Sequence, residues 1–198
     1  MSNRISCLLI AGTSHTGKST LAMSIGEALG WSILSTDKLA RHPGRPWPTV
    51  LPPIAEYYAR LTSETIYQFL LHHHQNMWPH IRRLIQDHRD NEIPFVLEGS
   101  ALRPEYIASQ AAPETMIVCL HADHAFLRHR MYRQSGYEQL EQDHQAIVDK
   151  FIERSLRDND ENLSAARDHG LQCIDARDQE AVDRFRAIIS GHVGDPEH

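Results

Sequence analysis

The chain has few cysteines, few aromatic residues and no long hydrophobic run. Its 3 cysteines in 198 residues form no CxxC pair, so we interpret them as small buried apolar side chains in a reducing compartment. The net charge is −6, and no basic stretch is interleaved with aromatic residues, which argues against nucleic acid as the main partner. No apolar run has the length of a transmembrane helix or forms a signal sequence, so we expect a cytoplasmic protein without a membrane partner.

The most specific signal is the octet Gly12–Ser19, which reads G-x-x-x-x-G-K-S. It follows the apolar run Ile5–Ala11, which is typical of a buried strand. It opens the segment Lys18–Leu29, whose apolar residues recur at helical spacing. Strand, glycine loop and helix follow in the order that a phosphate-binding loop requires, which makes a chance match in a strand–helix turn a weak alternative.

The chemistry of this octet predicts a nucleotide site. Gly12 and Gly17 allow the backbone to curl, so that successive N–H groups and a helix N-terminus face one anion. Lys18 would reach the β- and γ-phosphates of ATP, and the hydroxyl of Ser19 would ligate Mg²⁺. The residues expected to contact the nucleotide are Gly12, Thr13, Ser14, His15, Thr16, Gly17, Lys18, Ser19 and Thr20.

Strands and helices alternate along one domain of residues 1–198. The predicted strands are Ile5–Ala11, Trp31–Ser35, Pro94–Glu98, Thr115–Leu120 and Leu171–Ile174. Their continuous apolar runs are typical of parallel strands covered on both faces. The predicted helices include an amphipathic one around Ile66–Ile85 with a break or kink at Pro79, a long polar one from about Glu138 to His169, and Gln179–Ile189. This pattern predicts an α/β fold.

Two acidic residues end predicted strands. Asp37 follows the second strand, where it would orient an acceptor hydroxyl for in-line attack or, alternatively, cap the helix after it. Glu98 ends the third strand, where it would hold magnesium, often through water, or form an ion pair with Arg103. Both acids are candidate catalytic residues, and Glu98 is also a candidate metal ligand.

Arginines cluster after the fourth strand and on the long polar helix. They are Arg128, Arg130, Arg133, Arg154 and Arg157. Arginines on a mobile flap can neutralise the negative charge that develops during phosphoryl transfer, and Arg133 is the candidate catalytic member. The alternative is that they form helix-surface ion pairs with the acidic residues nearby.

Two other segments have open interpretations. The proline-rich stretch His42–Pro53 cannot be helical throughout, and it either walls a substrate pocket or is a structural connection that buries Trp47. The histidine run His72–His74 is best interpreted as surface histidines on a helix, because adjacent helical side chains point in different directions.

With these features the chain resembles the small P-loop kinases, which include nucleoside monophosphate, shikimate and gluconate kinases and chloramphenicol phosphotransferase. Glu98-Gly99 with Arg103-Pro104 is loosely similar to the Asp-Gly-x-Pro-Arg-type segment of nucleotide kinases. The stretch Lys150–Asp175 also resembles 2-phosphoglycerate-kinase-like proteins. The proline-rich loop departs from the AMP-binding helices of adenylate kinases, which disfavours a nucleotide acceptor.

The resemblance implies a three-layer P-loop NTPase fold with a five-stranded parallel sheet in the order 2-3-1-4-5 and a helical lid at roughly residues 128–157. It implies an acceptor-binding role for Asp37 and an adenine-stacking arginine in the lid, for which Arg128, Arg130 and Arg133 are candidates. It also implies an adenine-binding loop that contains Arg177.

The sequence therefore predicts an ATP- and Mg²⁺-dependent kinase that phosphorylates a hydroxyl of a small metabolite, as a monomer or homodimer. One alternative is a nucleotide-binding regulatory ATPase. Another is an antibiotic-type phosphotransferase with the same chemistry. Nothing in the sequence names the acceptor.

Overall fold

The computed structural model describes residues 5–39, 44–47 and 49–192, and a parallel β-sheet lies at the centre of these residues. The strands are β1 (Cys7–Ala11), β2 (Ser32–Ser35), β3 (Phe95–Glu98), β4 (Thr115–His121) and β5 (Gln172–Asp175). All neighbours are parallel, in the order β2-β3-β1-β4-β5. The five predicted strands and the strand order are confirmed, and the strand ends differ from the prediction by one or two residues.

Seven α-helices accompany the sheet in the described ranges. They are α1 (Lys18–Leu29), α2 (Pro52–Arg60), α3 (Ser63–Asp90), α4 (Pro104–Ile107), α5 (His124–Ser135), α6 (Gln142–Asp168) and α7 (Gln179–His192). A break at Pro79 is wrong, because α3 continues through it, while a kink there stays a prediction. Met77 and Ile81 on either side of the proline both pack into one apolar cluster, and this burial outweighs the hydrogen bond that proline removes.

The two faces of the sheet have separate apolar cores. Along β1, Leu8 and Ile10 point to the face covered by α1 and α7. Cys7, Leu9 and Ala11 point to the other face, which is covered by α3, α4 and the end of α6. Because the side chains on both faces of these strands are buried, the strands appear in the sequence as continuous apolar runs.

A third apolar cluster lies away from the sheet and joins α2, α5 and α6. Its buried members include Trp47, Tyr58, Leu127, Met131 and Phe151. The turn between α5 and α6 begins at Gly136, whose φ of +66° ends α5. The lid implied at residues 128–157 therefore corresponds to the second half of α5, this turn and the first half of α6.

The cysteines are free thiols within the core. Cys7 and Cys119 are buried, as predicted, while Cys173 is half-buried. Burial raises the pKa of the Cys7 thiol to about 11 and that of Cys119 to about 12. Both thiols are therefore protonated at neutral pH and pack as small apolar groups. None of the described helices combines the length and apolar composition needed to cross a membrane.

Candidate active site

The predicted phosphate loop lies between β1 and α1 and is fixed by contacts on two sides. At Gly12, where φ is +134°, a Cβ would overlap the carbonyl oxygen of Leu120 in β4, so only glycine allows this close approach. The Thr16 hydroxyl donates to the Thr13 carbonyl at 2.9 Å, and the Thr13 hydroxyl donates to the Ser155 carbonyl of α6 at 3.0 Å. The loop is thus held between the sheet and α6.

Lys18 lies at the start of α1 with its amine turned into the loop. Its side chain is buried, and Nζ donates to the carbonyl of Thr13 at 2.7 Å. Burial lowers the pKa of Lys18, while the negative charges of Glu98, Asp37 and Asp158 oppose this shift. A buried cation surrounded by carboxylates at a helix N-terminus can exchange its carbonyl partner for an anionic ligand.

A cavity of about 210 Å³ opens beside this loop. The octet residues Lys18 and Ser19 line it, and so do the predicted acids Asp37 and Glu98. The structure therefore brings the candidate phosphate ligand, the candidate magnesium ligands and the candidate acceptor-binding acid to one place at the carboxyl edge of the sheet. Ligands bind at this edge in open α/β folds.

The close approach of two strand ends explains why Asp37 and Glu98 share this cavity. Ser35 at the end of β2 is in register with Glu98 at the end of β3. Gly99 has a φ of +150°, and a Cβ there would overlap the Thr36 hydroxyl. Asp37 is the middle residue of the 3₁₀ turn Thr36–Lys38, so its alternative role as a helix cap is wrong.

The alternative role of Glu98 as the partner of Arg103 is also wrong. The Arg103 guanidinium donates to Asp158 on α6 at 3.0 Å and to Glu105 on α4. Arg103 is the residue before α4, and its second partner, Glu105, lies in the first turn of that helix. Glu98 is 5% exposed and forms no ion pair in the described part of the chain, so its carboxylate faces the cavity.

Most of the predicted arginines lie outside this cavity. Three of them are exposed on α5: Arg128, Arg130 and Arg133. Arg133 lines a separate surface depression. Arg177 follows β5 and forms ion pairs with Asp123 and Asp175. None of these arginines lines the cavity, although the charge of Arg130 acts on His15 in the loop. Their contacts with phosphate or adenine stay predictions.

Arg154 differs from the other arginines in its environment. It is 8% exposed, lines the cavity and lies over the ring of Phe151 at 4.3 Å. Arg157, one turn later on α6, pairs with Glu64 and Glu161 at the surface. The surface ion-pair interpretation is therefore correct for Arg157, whereas Arg154 faces the site.

The side chain of Gln134 closes one side of the cavity, which no sequence motif indicated. Its amide oxygen accepts hydrogen bonds from His15 Nε2, from Arg45 Nη1 at 3.3 Å and from Trp47 Nε1 at 3.4 Å. We refer to these four residues as the Gln134 clamp. The clamp joins the phosphate loop, the proline-rich segment and α5.

The described part of the proline-rich segment lines the cavity and buries Trp47. Gly44 and Arg45 line the cavity, and Trp47 is buried against Phe151 at a ring distance of 4.8 Å. The segment ends where α2 begins, and Pro52 and Pro53 occupy the first turn of that helix. His42, Pro43 and Pro48 lie outside the described residues.

The surface interpretation of the histidine run is wrong for two of its three members. His72 is exposed, but His73 is half-buried and His74 is 1% exposed. The inward face of α3 meets a small compartment beside Asp37 at this point, and both histidines line it. Among the described residues, no group of three or more histidine, cysteine, aspartate or glutamate side chains is arranged to hold a metal ion.

His15 makes the stability of the loop depend on pH. It has a φ of +68°, and its ring packs near Trp47 and Phe151. Burial lowers its pKa from 6.5 to about 4, against the opposing effect of its hydrogen bond to Gln134. Below about pH 6.5 the unfolded chain binds a proton that the folded chain excludes until about pH 4, so acidification through this window destabilises the fold.

We therefore expect His15→Asn to flatten the pH dependence of thermal stability. Asparagine tolerates a positive φ and does not titrate. Between about pH 6.5 and about pH 4 the melting temperature of the wild type should fall more steeply than that of the variant. Parallel curves for the two proteins would show that the His15 ring takes up its proton without unfolding the loop.

Comparisons with known proteins show similarity of structure alone. No protein-family model matches the chain, and no curated protein matches it in sequence. A sugar kinase from Janibacter sp. HTCC2649 matches with a TM-score of 0.55 and 17% identity, over 98% of this chain and 99% of that chain. The tRNA isopentenylpyrophosphate transferase of Bacillus halodurans matches with a TM-score of 0.53 and 11% identity, over 95% and 96%.

An uncharacterized protein from Eubacterium ventriosum ATCC 27560 also matches, with a TM-score of 0.50 and 14% identity over 95% of this chain and 99% of that chain. The matches span nearly the full length of each chain. Together with the parallel sheet and the G-x-x-x-x-G-K-S loop after β1, they show that the chain has an α/β fold of the P-loop NTPase type.

Proposed function

We propose that the protein is an ATP-dependent kinase that transfers the γ-phosphoryl group to a hydroxyl of a small metabolite. One observation carries the proposal: Lys18, Asp37 and Glu98 line a single cavity of about 210 Å³ at the N-terminus of α1. Phosphoryl transfer requires a cation on the phosphates, an oxygen ligand for magnesium and a group that orients the attacking hydroxyl. Lys18 would supply the cation, Glu98 the magnesium ligand and Asp37 the group that orients the hydroxyl.

The residues around the cavity fit a magnesium–nucleotide complex. The loop presents Lys18 and the N-terminus of α1 to an anion, and the Gly12 position leaves room for the backbone to approach β4. Ser19 and Glu98 offer hard oxygen donors of the kind that magnesium prefers, and they would hold the ion. ATP, when bound, supplies the phosphoryl group.

Asp37 is the residue that favours a kinase over other P-loop proteins. The fold alone does not select phosphoryl transfer, because an isopentenylpyrophosphate transferase shares it. A regulatory ATPase has no need of an acidic residue that binds an acceptor hydroxyl, whereas Asp37 faces the cavity beside Lys18. The net charge of −6 disfavours a tRNA acceptor. An antibiotic-type phosphotransferase would use the same residues and differ in its acceptor.

A coupled assay of ADP release over sugars, sugar acids, nucleosides and nucleotides tests the proposal. A kinase releases ADP faster when its acceptor is present, and mass spectrometry of the product should show one added phosphoryl group. ATP binding with slow hydrolysis that no acceptor accelerates would contradict the proposal and favour a regulatory ATPase.

We also expect the lid to close over bound substrates. The segment 128–157 joins the site through Gln134 and Arg154, and closure would exclude water from the γ-phosphate. Amide hydrogen exchange in this segment should slow when a non-hydrolysable ATP analogue and an acceptor are both present. Exchange in β1 serves as the control, because this strand is buried throughout. Unchanged exchange in 128–157 under saturating ligands would show a rigid structural helix pair.

A further inference from the structure

A second, smaller compartment opens from the cavity beside the phosphate loop. The two spaces share Asp37, Ser100 and Arg154 as lining residues. The compartment has a volume of about 30 Å³. One water needs roughly 10–15 Å³ measured in this way, so the compartment has room for a group about the size of a carboxylate. A sugar ring or a nucleobase does not fit there.

Cationic and polar groups from two helices line this compartment. Arg154 reaches it from α6, and His73 and His74 reach it from α3. Apolar side chains, including Leu70 and Met77, form other parts of the wall. A small space lined by a guanidinium, two imidazoles and apolar groups favours a compact anion over a neutral apolar group.

The environment of Arg154 supports the same conclusion. A guanidinium keeps its charge at all accessible pH values, so its burial is costly unless an anion pairs with it. Within the described ranges no carboxylate lies within 4.0 Å of Arg154, although Arg103 and Arg157 on the same side of the protein both have acidic partners. Arg154 instead lies over the Phe151 ring, has the Tyr58 hydroxyl as a neutral hydrogen-bond partner, and lines the cavity.

Asp37 lies where the two compartments meet. It lines both of them. Among the described residues that line the small compartment, Asp37 is the one that carries a carboxylate. A molecule that placed an anion beside Arg154 would therefore extend past Asp37 toward the phosphate loop. Its next polar group would be a hydroxyl, since a second negative charge beside Asp37 and Glu98 would be repelled.

We propose that the acceptor is a small hydroxy acid whose carboxylate binds between Arg154 and the two histidines and whose hydroxyl meets Asp37. This inference rests on the proposed kinase function. The hydroxyl oxygen would form a bond to the γ-phosphorus as ADP leaves with the electron pair of the broken bond, and Asp37 would accept the hydroxyl proton. The products are a phosphorylated hydroxy acid and ADP.

The wild-type protein provides the first test. Hydroxy acids of three to six carbons are compared with their primary amides in the ADP-release assay, so that each pair differs in charge and hardly in shape. We expect the acid to have a kcat/KM about 10- to 100-fold higher than that of its amide. This is the usual effect of losing one hydrogen bond between charged groups, which the amide cannot form with Arg154. Equal values for acid and amide, or turnover with neutral acceptors alone, would overturn the inference and leave the kinase intact.

Arg154→Gln provides the second test, with Arg157→Gln as its matched control. The control residue lies one turn away on α6 but pairs at the surface with Glu64 and Glu161. We expect Arg154→Gln to raise KM for the hydroxy acid about 10- to 100-fold, with the affinity for ATP within a factor of about two of wild type. Arg157→Gln should change neither quantity by that amount.

Two further results are decisive. A loss of ATP affinity in Arg154→Gln without a change in acceptor KM would place the guanidinium on the nucleotide and overturn the inference. If Arg154→Gln does not fold, Arg154→Lys keeps the charge, and its preference for acid over amide should persist with a raised KM. Absence of turnover with every acceptor class would overturn the kinase proposal itself, and this inference with it.

Discussion

Replacement of Lys18 by methionine should reduce ATP-dependent turnover by about 10²- to 10³-fold, the usual effect of removing one group that stabilises transition-state charge. Methionine keeps the apolar length of the side chain, which matters because Lys18 is buried. The substitution removes the cation that faces Glu98 and Asp37 and that would bind the β- and γ-phosphates. Steady-state kinetics and ATP titration measure the two effects separately.

Lys38→Met is the matched control for this substitution, because Lys38 is exposed on the 3₁₀ turn beside Asp37. It should leave turnover close to wild type. Thermal unfolding of the Lys18 variant checks that loss of the hydrogen bond to the Thr13 carbonyl has not unfolded the loop. Wild-type ATP affinity and turnover in a folded Lys18→Met protein would disprove the nucleotide site.

Asp37→Asn should separate phosphoryl transfer from nucleotide binding. The substitution keeps the shape of the side chain but removes its charge, and proton acceptance usually contributes about 10²- to 10⁴-fold in rate. ATP binding depends mainly on the loop from Gly12 to Ser19, so nucleotide affinity should hardly change. We expect a large fall in kcat with intact ATP binding, measured by single-turnover kinetics and equilibrium titration.

The position of Asp37 sharpens this prediction. Because the residue lies in the middle of a 3₁₀ turn, a helix-capping role is not available to explain an effect on activity. Asp168→Asn, at the exposed end of α6, is the control for a general effect of removing one negative charge. A fully active Asp37→Asn protein would transfer the role of the base to Glu98, the other acid in the cavity.

The parts of the fold that depend on local sequence were predictable. The strand β1 is apolar over its full length, β3 is apolar up to Glu98, and β4 is apolar between Thr115 and His121. The G-x-x-x-x-G-K-S octet fixes the turn between β1 and α1. The acids at strand ends followed from the same reasoning, because the carboxyl ends of parallel strands meet at one edge. Asp37 and Glu98 thus lie in the cavity that the octet defines.

The rest of the site depends on contacts between residues far apart in sequence. Nothing in the sequence distinguishes Gln134 from other helical residues. Its position in the site follows from the contacts that His15 and Trp47, from other segments, make with its amide. The sequence alone does not show that His74 lies on the inward face of α3. This becomes clear from the fold, in which His74 and Asp37 line the same compartment. Pairwise alternatives such as Glu98 with Arg103 failed because Asp158, 55 residues further along, is the better-placed partner.

Helix α6 shows the same limitation over its whole length. Its composition is polar, yet one face buries Arg154, Ser155, Asp158, Asn159 and Asn162 beside the phosphate loop and the sheet. Asn159 uses both ends of its amide on the backbone of Ala122 after β4. Hydrophobic periodicity does not indicate a helix face that is buried with polar side chains.

The tether from Thr13 to Ser155 has a consequence for how the protein is made. The loop of residues 12–19 is translated before Leu120 and Ser155, but its geometry depends on the backbone carbonyls of these two residues. β1 also cannot form its hydrogen bonds in the sheet until β3 and β4 have been translated, because both of its neighbouring strands come from much later in the chain. The loop is therefore translated before the segments that fix its geometry, and we expect a nascent chain that lacks those segments to have no assembled cavity beside the loop.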